Sequence, residues 1–410
     1  MEAVSKRFGY EYNCMIHSLK EIKNLKGKRV LVRVDFNVPL KNKKILDDSR
    51  IQSSVKTIQY LSRKGAKVIL LSHLGRPEGK VISELSLKPV AKRLSSLLKK
   101  NVKVVFDTNL ILPSPTRRGV LTVMKPGDVV MLENIRFYAG EENNDPAFAK
   151  ELASFGDVFV LDGFAVAHRD APSVSGVAKY LPSYAGFLLE KEIIGLDTVM
   201  KHPKKPAILI LGGAKIETKI PVLKYMSRAT DMVLVGGAMV NTYLKLKGYG
   251  VGSSLVDDHI DKKIVLSLFS KKKIIKPVDF IVGDKEGKRI RVVEVKKNAH
   301  EICRDGEMIL DIGPETLEQF CSYIQKAKTL VWNGALGYFE VPAYATGTFE
   351  MVRALARRSK QAYTVVGGGE SVLILEQLKL SRSIDLVSTG GGAMLEYISG
   401  KKLPGVQALK

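Results

Sequence analysis

Cysteine is scarce in this chain of 410 residues: Cys14, Cys303 and Cys321 are all there is, and no two form a CxxC pair. So few scattered thiols build neither a disulfide framework nor a zinc site, and ordinary reduced side chains are expected. No apolar run approaches the roughly 18 residues of a membrane span, so no membrane partner is expected. The opening MEAVSKRFGYEYNCM lacks the apolar stretch of a secretory leader, which makes the cytoplasm the expected address. Acidic residues are also in short supply: 42 Asp and Glu face 65 Lys and Arg, a formal charge of +23. Several chemical motifs are missing as well. There is no GxxxxGK[ST], no HExxH, no Cys/His cluster and no GxSxG. P-loop ATPases are thereby excluded as a template. Without a nucleophile beside a base, a covalent enzyme intermediate is not expected either.

What is present describes a globular protein. Hydrophobic residues make up 45% and charged residues 26%, a balance that argues against disorder. The length exceeds one ordinary core and suggests two domains of similar size. The positive charge has two explanations: a nucleic-acid partner, or a lysine-rich surface with an anion-binding cleft. Its runs, KNKK at 41–44 and KKK at 271–273, are short and carry no interleaved aromatics. The second explanation is preferred, and no specific nucleic-acid partner is expected.

Short β-branched runs alternate with amphipathic stretches along most of the chain. Segments 28–38, 66–75, 102–107, 128–135 and 157–166 read as strands buried on both faces, as in a parallel sheet. Segments 49–65 and 86–100 have helical spacing, the first with a serine start and a glycine stop. In the second half, strands at 206–213, 231–237, 328–334 and 362–369 each end in glycine before a helix-like segment, the arrangement by which open α/β sheets bring backbone close to phosphate. Residues 182–206 have helical spacing between prolines and read as a connecting helix. The expected fold is α/β: two Rossmann-like three-layer domains, each with a mostly parallel sheet, joined by that helix and a hinge. Domain bounds are expected at 15–181 and 206–393, with the helix at 182–205 and an N-terminal extension at 1–14.

The first half loads its strand ends with cations and hydrogen-bonding groups. Arg33, Asp35 and Asn37 alternate along a strand and are expected on one side of it. SHLGRP brings His73, Leu74, Gly75 and Arg76; LENIRFY brings Arg136; AHRD brings His168 and Arg169; DDSRI brings Arg50. Any one of these alone reads as a surface arginine or a satisfied core histidine. Arginines at successive element boundaries point jointly to a pocket for a small, multiply charged anion, because guanidinium groups grip carboxylate and phosphate bidentately. In the second half, GGAKIETK sets Lys215 and Lys219 four apart after a glycine strand end, expected on one face of a helix near its N-terminus. VVGGGES and STGGGA offer two further glycine turns, and VWNGALGYFE adds Glu340, a candidate acceptor for ribose hydroxyls.

Taken in order, VLVRVDFNVPL, SHLGRP, LENIRFY, AHR, GFLLEKEI, LGGAKIETK, DIGPET, VWNG, GGGES and STGGGAMLE resemble the phosphoglycerate kinase family from about Lys28 to the C-terminus. DGFAVAHRDAPS is similar to the archaeal branch. The resemblance implies a hinge-bending kinase of glycolysis and gluconeogenesis, acting on 3-phosphoglycerate with ATP or ADP and Mg2+, as monomer or homodimer. It implies that Asp35, Phe36, Asn37, Arg50, His73, Leu74, Gly75, Arg76, Arg136 and Arg169 bind phosphoglycerate. Arg50 would hold the reacting carboxylate and Lys215 would follow the migrating phosphoryl group. Lys219, Gly236, Gly237, Asn333, Glu340, Gly368, Gly369, Glu370 and Ser371 would bind nucleotide, with Glu370 at the metal. It also implies that the segment 394–410 returns to the first domain.

The chain departs from the family pattern in its tail, Met1–Cys14, which has no counterpart, and in two loops. The usual GGGDT or GGGDS is GGGES, so Glu370 stands where an aspartate is expected. The usual NGPxG is Asn333-Gly334-Ala335-Leu336-Gly337, which loses a rigid proline. These changes put nucleotide affinity and metal geometry in question, and they leave two other readings to weigh: a weakened kinase homologue, or a basic nucleic-acid-binding protein on the same scaffold.

Overall fold

The computed structural model describes residues 16–105, 123–295 and 301–410. The extension at 1–14 and the end of the 102–107 run lie outside them. Two compact units divide the chain: one holds the described residues up to Ile194 together with Lys402–Lys410, the other Gly195–Lys401.

The first unit is built on β1 (Arg29–Arg33), β2 (Lys67–Leu71), β3 (Val102–Val105), β4 (Val129–Leu132), β5 (Val158–Leu161) and β6 (Ser183–Ala185). Every neighbour in the order β3-β4-β2-β1-β5-β6 is parallel. Val30, Leu31, Val32, Ile69, Leu70 and Phe159 are wholly buried, as the near-continuous apolar runs require of strands covered on both faces. Each such side chain contributes roughly 1.5–3 kcal/mol on leaving water. The helix Ser49–Arg63 (α1) covers the sheet with Ile51, Ser54, Ile58 and Leu61, spaced three or four apart, and with Thr57 beside them. Gly65, at φ +77°, turns the chain back toward β2. β1 stops at Arg33, so Asp35 and Asn37 lie in the following turn and do not alternate along a strand as expected.

The second unit repeats the plan with β7 (Ala207–Leu211), β8 (Met232–Val235), β9 (Ile274–Ile275), a small antiparallel sheet, β13 (Thr329–Asn333), β14 (Tyr363–Gly367) and β15 (Leu386–Val387). Its order β9-β8-β7-β13-β14-β15 is again wholly parallel. The small sheet pairs β10 (Asp279–Gly283) with β11 (Arg291–Glu294) and β12 (Met308–Ile312). A core around Trp332, Phe320 and Leu355 lies beneath the main sheet. In both units the central strand, β1 or β7, has the next strand in sequence on one side and a later one on the other. That switch point opens a crevice at the strand's carboxyl end.

The connecting helix runs Phe187–Lys201, shorter than the expected 182–205. Phe159 N–H donates to Pro182 O (2.9 Å) and Gly186 N–H to Leu161 O (2.8 Å), which draws Ser183–Ala185 into the sheet as its edge. The C-terminal residues pack on the first unit through Gly405 N–H to Ala167 O (2.9 Å). Residues 394–401 belong to the second unit, most of them in the helix Gly392–Ile398.

Candidate active site

The carboxyl ends of β1, β2, β4 and β5 bring one group of side chains together. Arg50 donates to Asp35 Oδ2, while Asp35 Oδ1 accepts from Asn37 N (3.1 Å). Asn37 Oδ1 accepts from Gly75 N (3.0 Å), and Arg136 Nη1 donates to Gly75 O (2.9 Å). His73 is 4% exposed, with Nδ1 3.8 Å from Asp35 Oδ1 and 3.3 Å from Arg33 Nη2. A guanidinium can only donate, so Nδ1 accepts and the neutral ring carries its proton on Nε2. Burial, then the charges of Arg33, Arg136, Arg169 and Arg50, push the His73 pKa well below the usual histidine value. Arg136 is itself drawn down by burial and by Arg169, with Arg76 also in range. These cations therefore share one electrostatic neighbourhood. Arg76 is exposed and Arg169, next to His168 in the loop after β5, half-buried.

Two of the expected residues do not offer side chains here. Phe36 and Leu74 are buried in the hydrophobic core, so only their backbone is near the cluster. Other residues matter more than the sequence suggested. Arg33 is 2% exposed and reaches Ser173 Oγ (2.9 Å), which donates to the buried Glu141 at 2.5 Å. Asn134 is a clamp: Oδ1 accepts from Leu74 N and Arg136 N, both at 3.2 Å, and Nδ2 donates to Leu74 O at 2.7 Å. Its place just before Arg136 in LENIRFY was the one available signal.

The second unit holds a cavity of about 370 Å³. Gly213, Gly237 and the Ala335–Glu340 loop form one side; Asn241, Leu255, Phe280 and Met308–Asp311 form the other, with Glu370 also on the wall. Gly237 sits at φ +63°, and a Cβ there would stand 2.8 Å from Gly213 N, so only glycine lets these two turns meet. Of the residues expected at nucleotide, Gly237, Glu340 and Glu370 line the cavity. Lys219, Gly236, Asn333, Gly368, Gly369 and Ser371 do not. Several of these hold the lining in place. Asn333 accepts from Lys219 Nζ and donates to Gly367 O (2.9 Å); Ser371 Oγ accepts from Gly334 N (2.8 Å).

Lys215 and Lys219 are not the matched pair that their spacing suggested. The helix starts at Ile216, leaving Lys215 at its cap in extended conformation and exposed, whereas Lys219 is 7% exposed. Burial brings the Lys219 ammonium down to a pKa of about 8, with the charge of Glu370 opposing the fall. The wall from β10 and β12 was missed because nothing in its residue types marks it. Asp311 on this wall is pushed up to about 7 by burial although it accepts from Gly347 N and Ile312 N. Cys303, also near this wall, is pushed up to about 11 by burial, so its thiol stays protonated at neutral pH.

The family model for phosphoglycerate kinase matches residues 19–401. The chain belongs to the phosphoglycerate kinase family. It is 45% identical over 402 residues to a phosphoglycerate kinase of Moorella thermoacetica, covering 96% of this chain and 98% of that protein. The same identity over 401 residues relates it to one from Borreliella burgdorferi, covering 96% and 99%. The structure of phosphoglycerate kinase from Coxiella burnetii superposes with a TM-score of 0.84 at 37% identity, covering 96% of this chain and 98% of that one. That from Pyrococcus horikoshii gives 0.82 at 33%, covering the same shares. The archaeal resemblance of DGFAVAHRDAPS finds no support here: the relatives at 45% are bacterial, above the 33% of the Pyrococcus structure. A short local motif was a poorer guide to branch than the full length. Kinase activity is the reading that family membership carries over the nucleic-acid and silent-homologue alternatives. No described helix is long and apolar enough to cross a membrane.

Proposed function

We propose that this kinase catalyses reversible phosphoryl transfer between ATP and the carboxylate of 3-phosphoglycerate, in the cytoplasm. The observation that carries the substrate half is the buried His73 set among Arg33, Arg50, Arg136 and Arg169, its pKa lowered by burial and then by their charges. Asp35, Asn37, Arg50, His73, Arg76, Arg136 and Arg169 bind phosphoglycerate, with Arg50 at the reacting carboxylate. A doubly charged phosphate would offset the arginine field, and His73 Nε2–H is a ready donor to it.

The cavity of the second unit takes the nucleotide: apolar walls for the base, Glu340 for ribose, and Lys219 behind Asn333 for phosphate. Lys215, exposed at the start of its helix, is placed to accompany the transferred group. The residues fit a magnesium ion in the way that ion is usually held, by few carboxylates and the nucleotide's own oxygens. No cluster of three metal-ligating side chains occurs among the described residues, and Glu370 supplies one carboxylate on the cavity wall. When bound, the ion would neutralise charge on the phosphate oxygens. The carboxylate of 3-phosphoglycerate is ionised at neutral pH and needs no general base. Lys215 and Arg50 then stabilise charge on the transferring group, which is most of what this chemistry asks of a protein.

A coupled assay with 3-phosphoglycerate, ATP and Mg2+ tests the reading. Turnover is expected only with all three, and Lys215→Ala should lower kcat by at least about a hundredfold. Near-normal turnover in that variant would remove Lys215 from its role; no turnover in the folded wild type would remove the function.

A further inference from the structure

The two loop departures meet in space. Ala335 N–H donates to Glu370 Oε2 across 3.3 Å. A proline at 335 has no N–H to give, and an aspartate at 370 is shorter by one methylene, about 1.5 Å, which puts its carboxylate out of hydrogen-bond range. Either family residue alone abolishes this contact. We infer that Ala335 and Glu370 act as one unit: the carboxylate tethers the cavity-wall loop that would otherwise be loosened by loss of the proline. Glu370 is thus a positioning residue as well as the candidate metal carboxylate, and it serves the first role with no metal present.

The surroundings support a tether with consequences. Ala335 O accepts from Gly213 N at 2.6 Å, so the tethered residue also holds the neighbouring Gly213 turn on the same side of the cavity. Gly213 leaves room for the longer side chain, since a Cβ there would lie 3.3 Å from Glu370 Oε2. Lys219 lies within the electrostatic reach of the same carboxylate. One residue earlier, Gly334 N donates to Ser371 Oγ at 2.8 Å, so two adjacent peptides of the loop hang from two adjacent residues of the helix Gly369–Gln377. The loop is held by side chains where the family pattern holds it by a ring.

The protein carries its own reporter. Trp332 is the single tryptophan of the chain, buried, and its indole N–H donates to Gly334 O at 2.7 Å, one peptide from Ala335. Its emission is therefore read in the ligand-free protein, independent of nucleotide and metal. ADP affinity is read by calorimetry without Mg2+, which separates the tether from metal binding. The affinity arm rests on the nucleotide reading of the cavity; the fluorescence arm does not.

The experiment is a cycle of Ala335→Pro, Glu370→Asp and the double variant, with Ala335→Gly as a control that keeps the N–H. Trp332 emission should shift in both single variants and stay with wild type in Ala335→Gly. Glu370→Asp should weaken ADP by about tenfold, whereas in the double variant, where the proline ring takes over the hold, ADP should bind within about threefold of wild type. Unchanged emission in Glu370→Asp, or a double variant that binds ADP no better than Glu370→Asp, would overturn the inference. Emission that responds as stated in a wild type that binds no ADP would uphold the tether and sink the nucleotide reading.

Discussion

Lys219 shows how burial tunes a single side chain. Its ammonium is almost out of water, beside an amide oxygen and within range of one carboxylate, and its pKa falls to about 8. Below that value the group is charged and can hold a phosphate; above it the charge is lost. Nucleotide affinity should therefore fall as pH rises from 7 to 9, by about tenfold if Lys219 carries one phosphate contact. Lys219→Arg should flatten this profile, because guanidinium does not titrate there. Calorimetric titration of ADP at the two pH values checks it, and an equally steep profile in the arginine variant would assign the titration elsewhere. Lys215, four residues earlier, is exposed, so a helical spacing of four does not mean equal environment.

Among the elements, the start of the connecting helix is tied to two distant parts of the first unit. Asp162 directly follows β5, and its Oδ1 accepts from Leu188 N and Thr57 Oγ1, both at 2.9 Å; Thr57 Oγ1 also accepts from Phe187 N at 3.0 Å. Side chains from a strand and from α1 thus cap a helix far along the chain. Gly186 is required for this, since a Cβ would stand 2.1 Å from Asp162 Oδ1. Burial wins over these hydrogen bonds and raises the Asp162 carboxyl from 3.8 to about 7. The folded state then holds the proton more tightly than the unfolded chain. The stabilisation is complete below about pH 4 and is lost as pH rises through 7, by roughly 4 kcal/mol over the full span. Asp162→Asn cannot lose that proton, so its stability relative to wild type should climb between pH 4 and pH 8. Urea unfolding at both ends measures this. A constant difference would show that the carboxyl titrates near its ordinary value.

For the molecule as a whole, the formal charge of +23 has a cost in self-repulsion. The described surface ion pairs, such as Lys245–Asp258 and Lys201–Asp197, are exposed and worth little each. Raising NaCl from 20 to 200 mM shortens the screening length from roughly 20 Å to roughly 7 Å and should raise the thermal midpoint by a few degrees. A midpoint that falls with salt would mean that specific ion pairs outweigh the repulsion. Any affinity for nucleic acid should disappear over the same range if it is only the field of the surface lysines.

Much of this protein was legible in its residue order. Apolar runs of strand length, broken by glycines and followed by helical periodicity, are local signals, so both parallel sheets could be anticipated from them. The arginines of the first crevice were legible for the same reason: Arg76, Arg136 and Arg169 lie in loops that follow strands, Arg50 opens a helix, and a parallel sheet gathers all its strand ends at one edge. The rest depends on contacts between residues distant in the chain. Asn134 looks like any loop asparagine until its amide spans Leu74 and Arg136, and the cavity wall from β10 and β12 has no distinguishing composition. Whether Lys215 or Lys219 is buried was set by where the helix begins against its neighbours. The meeting of Ala335 with Glu370 was hidden for the same reason: each departure reads in the sequence as a separate loss, and only the folded approach of Ala335 N to Glu370 Oε2, 3.3 Å, makes one answer the other.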